Sequence, residues 1–207
     1  MENKSPHIQI DTTVTEQTIP WQAIEPGMHM TACTITGEAT INLQEVIFER
    51  CTFETFDFSR IELLDVLFKH CDVSNASFEA SKLYRTAFHH TKLIGAVFLE
   101  ATMKDVSFFQ SAIQYGQFSD SHLTHCQFVD CLLREALFRY VTLKDSELTR
   151  CDLEAADFRE TKLAGLDLSS CEFSFIEIDM HAIKGITIRR DQAAALLYVL
   201  GIQIKET

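Results

Sequence analysis

The chain has 207 residues, room for one large domain or two small ones, and 46% of them are hydrophobic, enough for a sizeable buried core and too many for wholesale disorder. Seven Gly and three Pro are too few for a sandwich or barrel, whose many tight turns draw on those residues. A formal net charge of −12 excludes direct nucleic-acid binding as a working role, because neutralising phosphates takes an excess of Lys and Arg.

At the N-terminus, Met1 to Pro6 show no basic segment leading into an apolar one, and the longest apolar run, Ala193 to Ile202, is too short to span a bilayer. The expectation is a soluble cytoplasmic protein without membrane contact. Residues 1–27 read as a polar N-terminal segment, and Trp21 to Met30 can pack as a cap over the open end of the adjoining domain.

From Val46 to Gly185 the chain divides into fives without a gap: VIFER, CTFET, FDFSR, IELLD, VLFKH and onward to HAIKG. Position three of every block is Phe, Leu, Ile, Val or Met. Position one is usually small or apolar, as at Cys51, Cys71, Ala76, Ser81 and Ala96, and neither position ever carries Asp, Glu, Lys or Arg. A period of five fits neither a helix (3.6) nor a strand (2.0), so each block makes a short extended side and then turns a corner.

This pattern resembles the pentapeptide-repeat family, in which four blocks make one square coil with positions one and three pointing inward. The resemblance implies an all-β fold, a right-handed quadrilateral parallel β-helix, with clear repeats over 46–185 inside a body spanning 28–188. Residues twenty apart should then stack. Face 1 has centres Phe53, Val73, Leu93, Ile113, Leu133, Leu153 and Phe173, and face 2 has Phe58, Phe78, Phe98, Phe118, Phe138 and Phe158. Face 3 runs Leu63, Leu83, Met103, Leu123, Leu143 and Leu163, and face 4 runs Phe48, Phe68, Phe88, Phe108, Phe128, Leu148 and Leu168. An interior filled this way leaves no ligand cavity.

Cys51, Cys71, Cys131, Cys151 and Cys171 share one column with Thr91 and Ser111. That column reads as a narrow ladder of small buried residues, not as a redox or metal site, since no CxxC is present. His70 and His90 stack at a corner read as solvated. No metal, cofactor or catalytic residue is expected. The sequence has no Gly-rich phosphate loop, nucleophile elbow or HExxH, and an enzymatic role is not expected.

Residues 189–207 form a different segment. Asp191 is placed to N-cap a short helix, Ala193, Leu196, Leu197 and Leu200 fall at i, i+3, i+4 and i+7, Gly201 is a natural stop, and Ile202 and Ile204 alternate as a short strand. One reading is a plug over the last coil; another is a homodimer contact through Ala193, Leu196, Leu197, Leu200 and Ile202. The end of the chain is similar to that of the Qnr quinolone-resistance members of the family at Gln192, Ala193, Leu196, Leu197, Leu200, Gly201 and Ile202. The resemblance implies tail-to-tail pairing.

Faces 1 and 2 carry a large excess of acidic side chains, whereas faces 3 and 4 are balanced. The candidate partner-binding residues are Glu54, Asp57, Asp72, Glu79, Glu100, Asp120, Asp152, Glu154, Asp157 and Glu172. Seven coils at strand spacing make a rod about 34 Å long, comparable with a stretch of duplex DNA. Similarity to Qnr and to the mycobacterial MfpA-type members implies a DNA mimic that binds a bacterial type II topoisomerase such as gyrase and confers resistance to quinolones or other gyrase poisons. Two features depart from that pattern. The repeat has no inserted loop, as in the MfpA type, and the acidic side is interrupted by Lys92, Ile94, Val97 and Leu99. The other reading is a scaffold or adaptor for protein–protein contact with no topoisomerase role.

Overall fold

The computed structural model describes residues 4–199 together with 201 and 202. The chain is a parallel β-solenoid whose coils stack in register. On face 3 the strands Lys82–Tyr84, Thr102–Lys104, His122–Thr124 and Thr142–Lys144 pair twenty residues apart. On face 4 the strands Ala87–His89, Ser107–Phe109, Gln127–Val129 and Glu147–Thr149 do the same. Leu43–Glu49 and Glu62–Lys69 are longer and run round the corner that joins these two faces. Over the repeat from Asp57 onward, faces 1 and 2 are laddered by single parallel bridges, such as Asp72 with Lys92 and Ser77 with Val97, separated by turns.

The corners explain how the chain turns with so few Gly and Pro. Position five of nearly every block from Arg50 to Glu160 has a left-handed backbone, with φ between 45° and 61° at the non-glycine residues. Such a conformation is costly for a residue with a Cβ. It persists because the ladder fixes it: the N–H of Asn75 donates to the Ile94 carbonyl, and that of Tyr115 to the Arg134 carbonyl, each one coil on.

Inside, the ring ladders stack as the period of twenty requires. Successive rings in Phe58, Phe78, Phe98, Phe118, Phe138 and Phe158 lie 4.7–5.0 Å apart. The face 4 ladder meets this one edge to face, with Phe98 at 87° to Phe108. The cysteine column is buried and its thiols are free. Its members do more than fill a narrow space. The Cys71 thiol, the Thr91 and Ser111 hydroxyls and the Cys131 thiol each donate to the carbonyl of residue 48, 68, 88 or 108 in turn, at 3.4, 3.2, 3.0 and 3.3 Å. A small donor suits this position, which is why Cys, Thr and Ser interchange there. Burial pushes the Cys71 and Cys126 thiols up to about 12 and Cys51 to about 11.

The ladders begin ahead of residue 28. Thr12–Thr15 pairs with Met28–Thr31, and Thr18–Pro20 with Thr34–Thr36. Thr12 lies opposite Met28, His29 opposite Ile47 and Val46 opposite Val66, so the coil widens from sixteen to eighteen to twenty residues. Trp21 closes the narrow end: it is 1% exposed, its ring lies 5.6 Å from that of Phe58, and its Nε1 donates to the Ile41 carbonyl. Residues 4–11 turn back along the rod, and the His7 backbone N–H donates to Asp65.

At the other end the helix spans Ala193–Val199 and stops at Gly201, whose φ is 70°. Its inner side presses Ala195 and Leu196 onto the last coil. The open carbonyls there are closed by two side chains. Arg189 donates to the Ser169 and Cys171 carbonyls, and the buried Gln192 amide donates to those of Leu168 and Cys171. The Asp191 carboxylate, just ahead of the helix, pairs with Arg189 at 3.2 Å. No helix among the described residues is long and apolar enough to cross a membrane.

Candidate interaction surface

The ten candidate carboxylates lie on faces 1 and 2 and fall into two environments. Glu79, Glu100 and Asp120 are exposed and make no ion pair among the described residues. Glu54 and Asp57 are exposed as well. Glu54 accepts the Gly37 N–H, and hydrogen bonds from Ser59 hold the Asp57 carboxyl below its ordinary range. Asp72 turns back on its own chain: burial alone would raise its carboxyl, but Ser74 and Lys92 outweigh that and hold it low.

Toward the C-terminal end the four remaining candidates all have partners within the molecule. Asp152 accepts Arg134 Nε at 2.6 Å, Glu154 holds the backbone N–H and hydroxyl of Ser174, and Glu172 pairs with Arg189 at 3.0 Å. Asp157 is only 3% exposed, clamped between Arg139 and Arg159. Arg159 continues to Glu177 at 3.1 Å, so Arg139, Asp157, Arg159 and Glu177 alternate in sign. Asp157, expected to project outward, is therefore an internal ion-pair partner.

The reading by faces missed these arginines as neutralising groups because it counted charge along each column. The signal lay on the diagonal, since Arg134 and Asp152, Arg139 and Asp157, and Arg159 and Glu177 are each eighteen residues apart, position four facing position two of the next coil.

Between the two zones the same side exposes apolar rings and side chains. Ile94, Tyr115, Leu132 and Tyr140 are all exposed. Tyr115 and Phe175 bound a surface groove of about 470 Å³ whose wall includes Leu137, Arg139, Asp157 and Arg159.

At the C-terminal segment, Leu196 is buried within its own chain, Ala193 and Ile202 are exposed, and Leu197 is half-buried. Leu200 lies outside the described residues, as does Ile204 of the expected short strand. The helix thus covers the last coil with one side and leaves Leu197, Tyr198 and Ile202 toward the other.

The profile of the pentapeptide repeat region matches residues 41–118 and 61–138, and that of eight-copy pentapeptide repeats matches 138–174. The chain belongs to the pentapeptide-repeat family. Among solved structures, this pentapeptide-repeat chain is similar to HetL, a protein involved in heterocyst differentiation regulation from the cyanobacterium Nostoc sp. strain PCC 7120. The identity is 15%, over 91% of this chain and 75% of HetL, with a TM-score of 0.54, a likeness of fold. A trypsin-treated variant of QnrB1, a plasmid-mediated fluoroquinolone resistance protein, aligns at 19% identity over 96% of this chain and 99% of that one, with a TM-score of 0.45. No curated protein matches the chain.

Proposed function

We propose that the protein is a non-catalytic binding rod whose acidic side occupies a cationic, DNA-contacting surface of a bacterial type II topoisomerase, gyrase first, and protects it from quinolones or other gyrase poisons. The observation that carries this reading is the set of exposed carboxylates Glu79, Glu100 and Asp120, without an ion pair among the described residues and flanked by Glu54 and Asp57, on adjoining faces of the solenoid. Candidate carboxylates already held by Arg have little charge to offer a partner, so among the candidates the contact centres on those of the N-terminal and middle coils. The test is gyrase supercoiling and drug-induced cleavage with purified protein at micromolar concentration and low salt. Inhibition or protection should fall steeply with salt, as charge-steered interfaces do, and should be lost in a Glu79→Lys, Glu100→Lys, Asp120→Lys variant of unchanged fold. No effect on gyrase or topoisomerase IV at low salt would reject it.

A second reading is favoured by the exposed Ile94, Tyr115, Leu132 and Tyr140, which charge mimicry does not require. It makes the rod a scaffold that holds another protein through this apolar strip, with a contact much less sensitive to salt. In either case we infer a homodimer formed through the outer side of the C-terminal helix, with Leu197 and Ile202 in the contact and Leu196 kept for the last coil.

A further inference from the structure

The regular corner gives way toward the C-terminal end. Ser170, Phe175 and Met180 lack the left-handed backbone of most earlier corners, and Met180–Ala182 forms a 3-10 turn instead. The ladder keeps its twenty-residue spacing on either side, at Asp157 with Glu177 and Asp167 with Thr187, but the inward position shifts locally by one residue. His181 occupies position one, which elsewhere in the repeat is almost always buried, yet it is exposed, and Ala182 is buried in its place. The turn brings the imidazole beside Glu160, from the coil before, and Asp179. One ligand atom from each of the three lies within 4.8 Å of the others.

The electrostatics of this spot are unlike those of the neighbouring ladder. Arg159, one residue before Glu160, is engaged by Asp157 and Glu177. Neither Glu160 nor Asp179 pairs with a Lys or Arg among the described residues. One Asp179 oxygen is fixed by the Glu160 backbone N–H at 2.6 Å, which orients the carboxylate. Two carboxylates held side by side repel unless a cation lies between them. The third donor is an imidazole nitrogen, which suits zinc and its first-row neighbours; Ca2+ and Mg2+ prefer shells built from oxygen.

We propose that Glu160, Asp179 and His181 form a binding site for a first-row divalent metal ion, Zn2+ above all. Three protein donors leave the fourth tetrahedral position to water. Zinc distances of about 2.0–2.2 Å put neighbouring ligands about 3.5 Å apart, so the cluster closes by about an ångström on binding. Glu160 and His181 are exposed and free to rotate that far. Because Glu160 belongs to one coil and the other two ligands to the next, the ion ties the last corners of the rod together.

The test uses the full chain, stripped of metal by chelator and titrated with Zn2+ by calorimetry and with Co2+ by visible absorption. The expected result is one equivalent per chain, the absorption bands of tetrahedral Co2+, and a Tm that rises with Zn2+. Affinity should fall by about tenfold or more in His181→Ala and in Glu160→Gln, whose circular dichroism should match the parent. Binding should also weaken as pH falls, since protons compete for the imidazole. Absence of saturable binding up to millimolar Zn2+ overturns the proposal. So does one-equivalent binding that survives both substitutions, which assigns the ion to another group such as the stacked His70 and His90.

Discussion

Replacing Phe98 by Ala is the sharpest test of the ladder. Phe98 is fully buried, lies face to face with Phe78 at 4.8 Å and Phe118 at 4.9 Å, and meets Phe88 and Phe108 edge on at 6.2 and 5.9 Å. A buried Phe covers roughly 150–250 Å², which at about 25 cal/mol per Å² gives an upper bound of about 4–6 kcal/mol. The Ala methyl keeps part of this. The cavity is slow to collapse, because the rings above and below hang on backbones fixed at coil spacing. A loss of about 3–5 kcal/mol is expected. Urea unfolding followed by circular dichroism measures it, with Lys104→Ala on the exposed side of face 3 as a control that should stay within about 0.5 kcal/mol. A lower midpoint at unchanged m means the whole rod unfolds together, whereas a fall in m means the coils on either side of Phe98 have uncoupled. Equal, small effects at both positions would refute the inward placement of block centres.

Other outcomes concern the ends and corners. Burial alone would raise the Asp65 carboxyl, but the Arg85 guanidinium and the His7 N–H outweigh it and hold its pKa below the unfolded value. The stability this contributes is present above about pH 4 and is lost as pH falls toward the folded value, so Asp65→Asn should flatten the acid limb of a stability–pH curve and lower stability at neutral pH. All seven cysteines are free and buried. A thiol reagent at pH 8 should label none in the folded protein and all in denaturant. Gln192→Leu removes one of two donors from each of the Leu168 and Cys171 carbonyls and leaves the Arg189 N–H without its acceptor, which should cost about 2 kcal/mol and raise hydrogen exchange first in the last coils. Tyr198→Asp with Ile202→Asp should convert a sedimenting dimer into a folded monomer; a parent protein that already sediments as a monomer rejects the two-fold contact.

The fold was legible because position three tolerates only large apolar residues and the period of twenty repeats itself through Phe58 to Phe158 and Phe48 to Phe128. No pairing rule had to be guessed once the coil length was known. The first coils escaped because their length changes: Thr12 finds Met28 sixteen residues on, and a search at fixed spacing passes over it. The closing of the C-terminal end was partly hidden for a different reason. Arg189 and Gln192 act on backbone carbonyls, and no side-chain pattern announces which carbonyls lack partners. Asp157 looked like its column neighbours, and only the diagonal to Arg139 sets it apart.

That diagonal changes what the acidic side can do. A column sum gives faces 1 and 2 a continuous negative field, but side chains at positions two and four of adjacent coils sit close enough to pair, and a pair formed inside the rod projects little beyond it. Arg134, Arg139 and Arg159 each have a carboxylate waiting eighteen residues ahead, so part of the acidic charge of the C-terminal half is paired within the rod, while Glu135, Glu160 and Asp179 make no ion pair among the described residues. Before it the diagonal offers no cation: Glu79, at position four, faces Val97, while Glu100 and Asp120 stand at position five, on the corners and off the diagonal. The acidic side is therefore interrupted near Tyr115, Leu132 and Tyr140, where apolar surface is exposed. A partner that reads this side has to offer cations to the unpaired carboxylates on either side of an apolar patch, and a uniform rod of phosphate charge is imitated only in part.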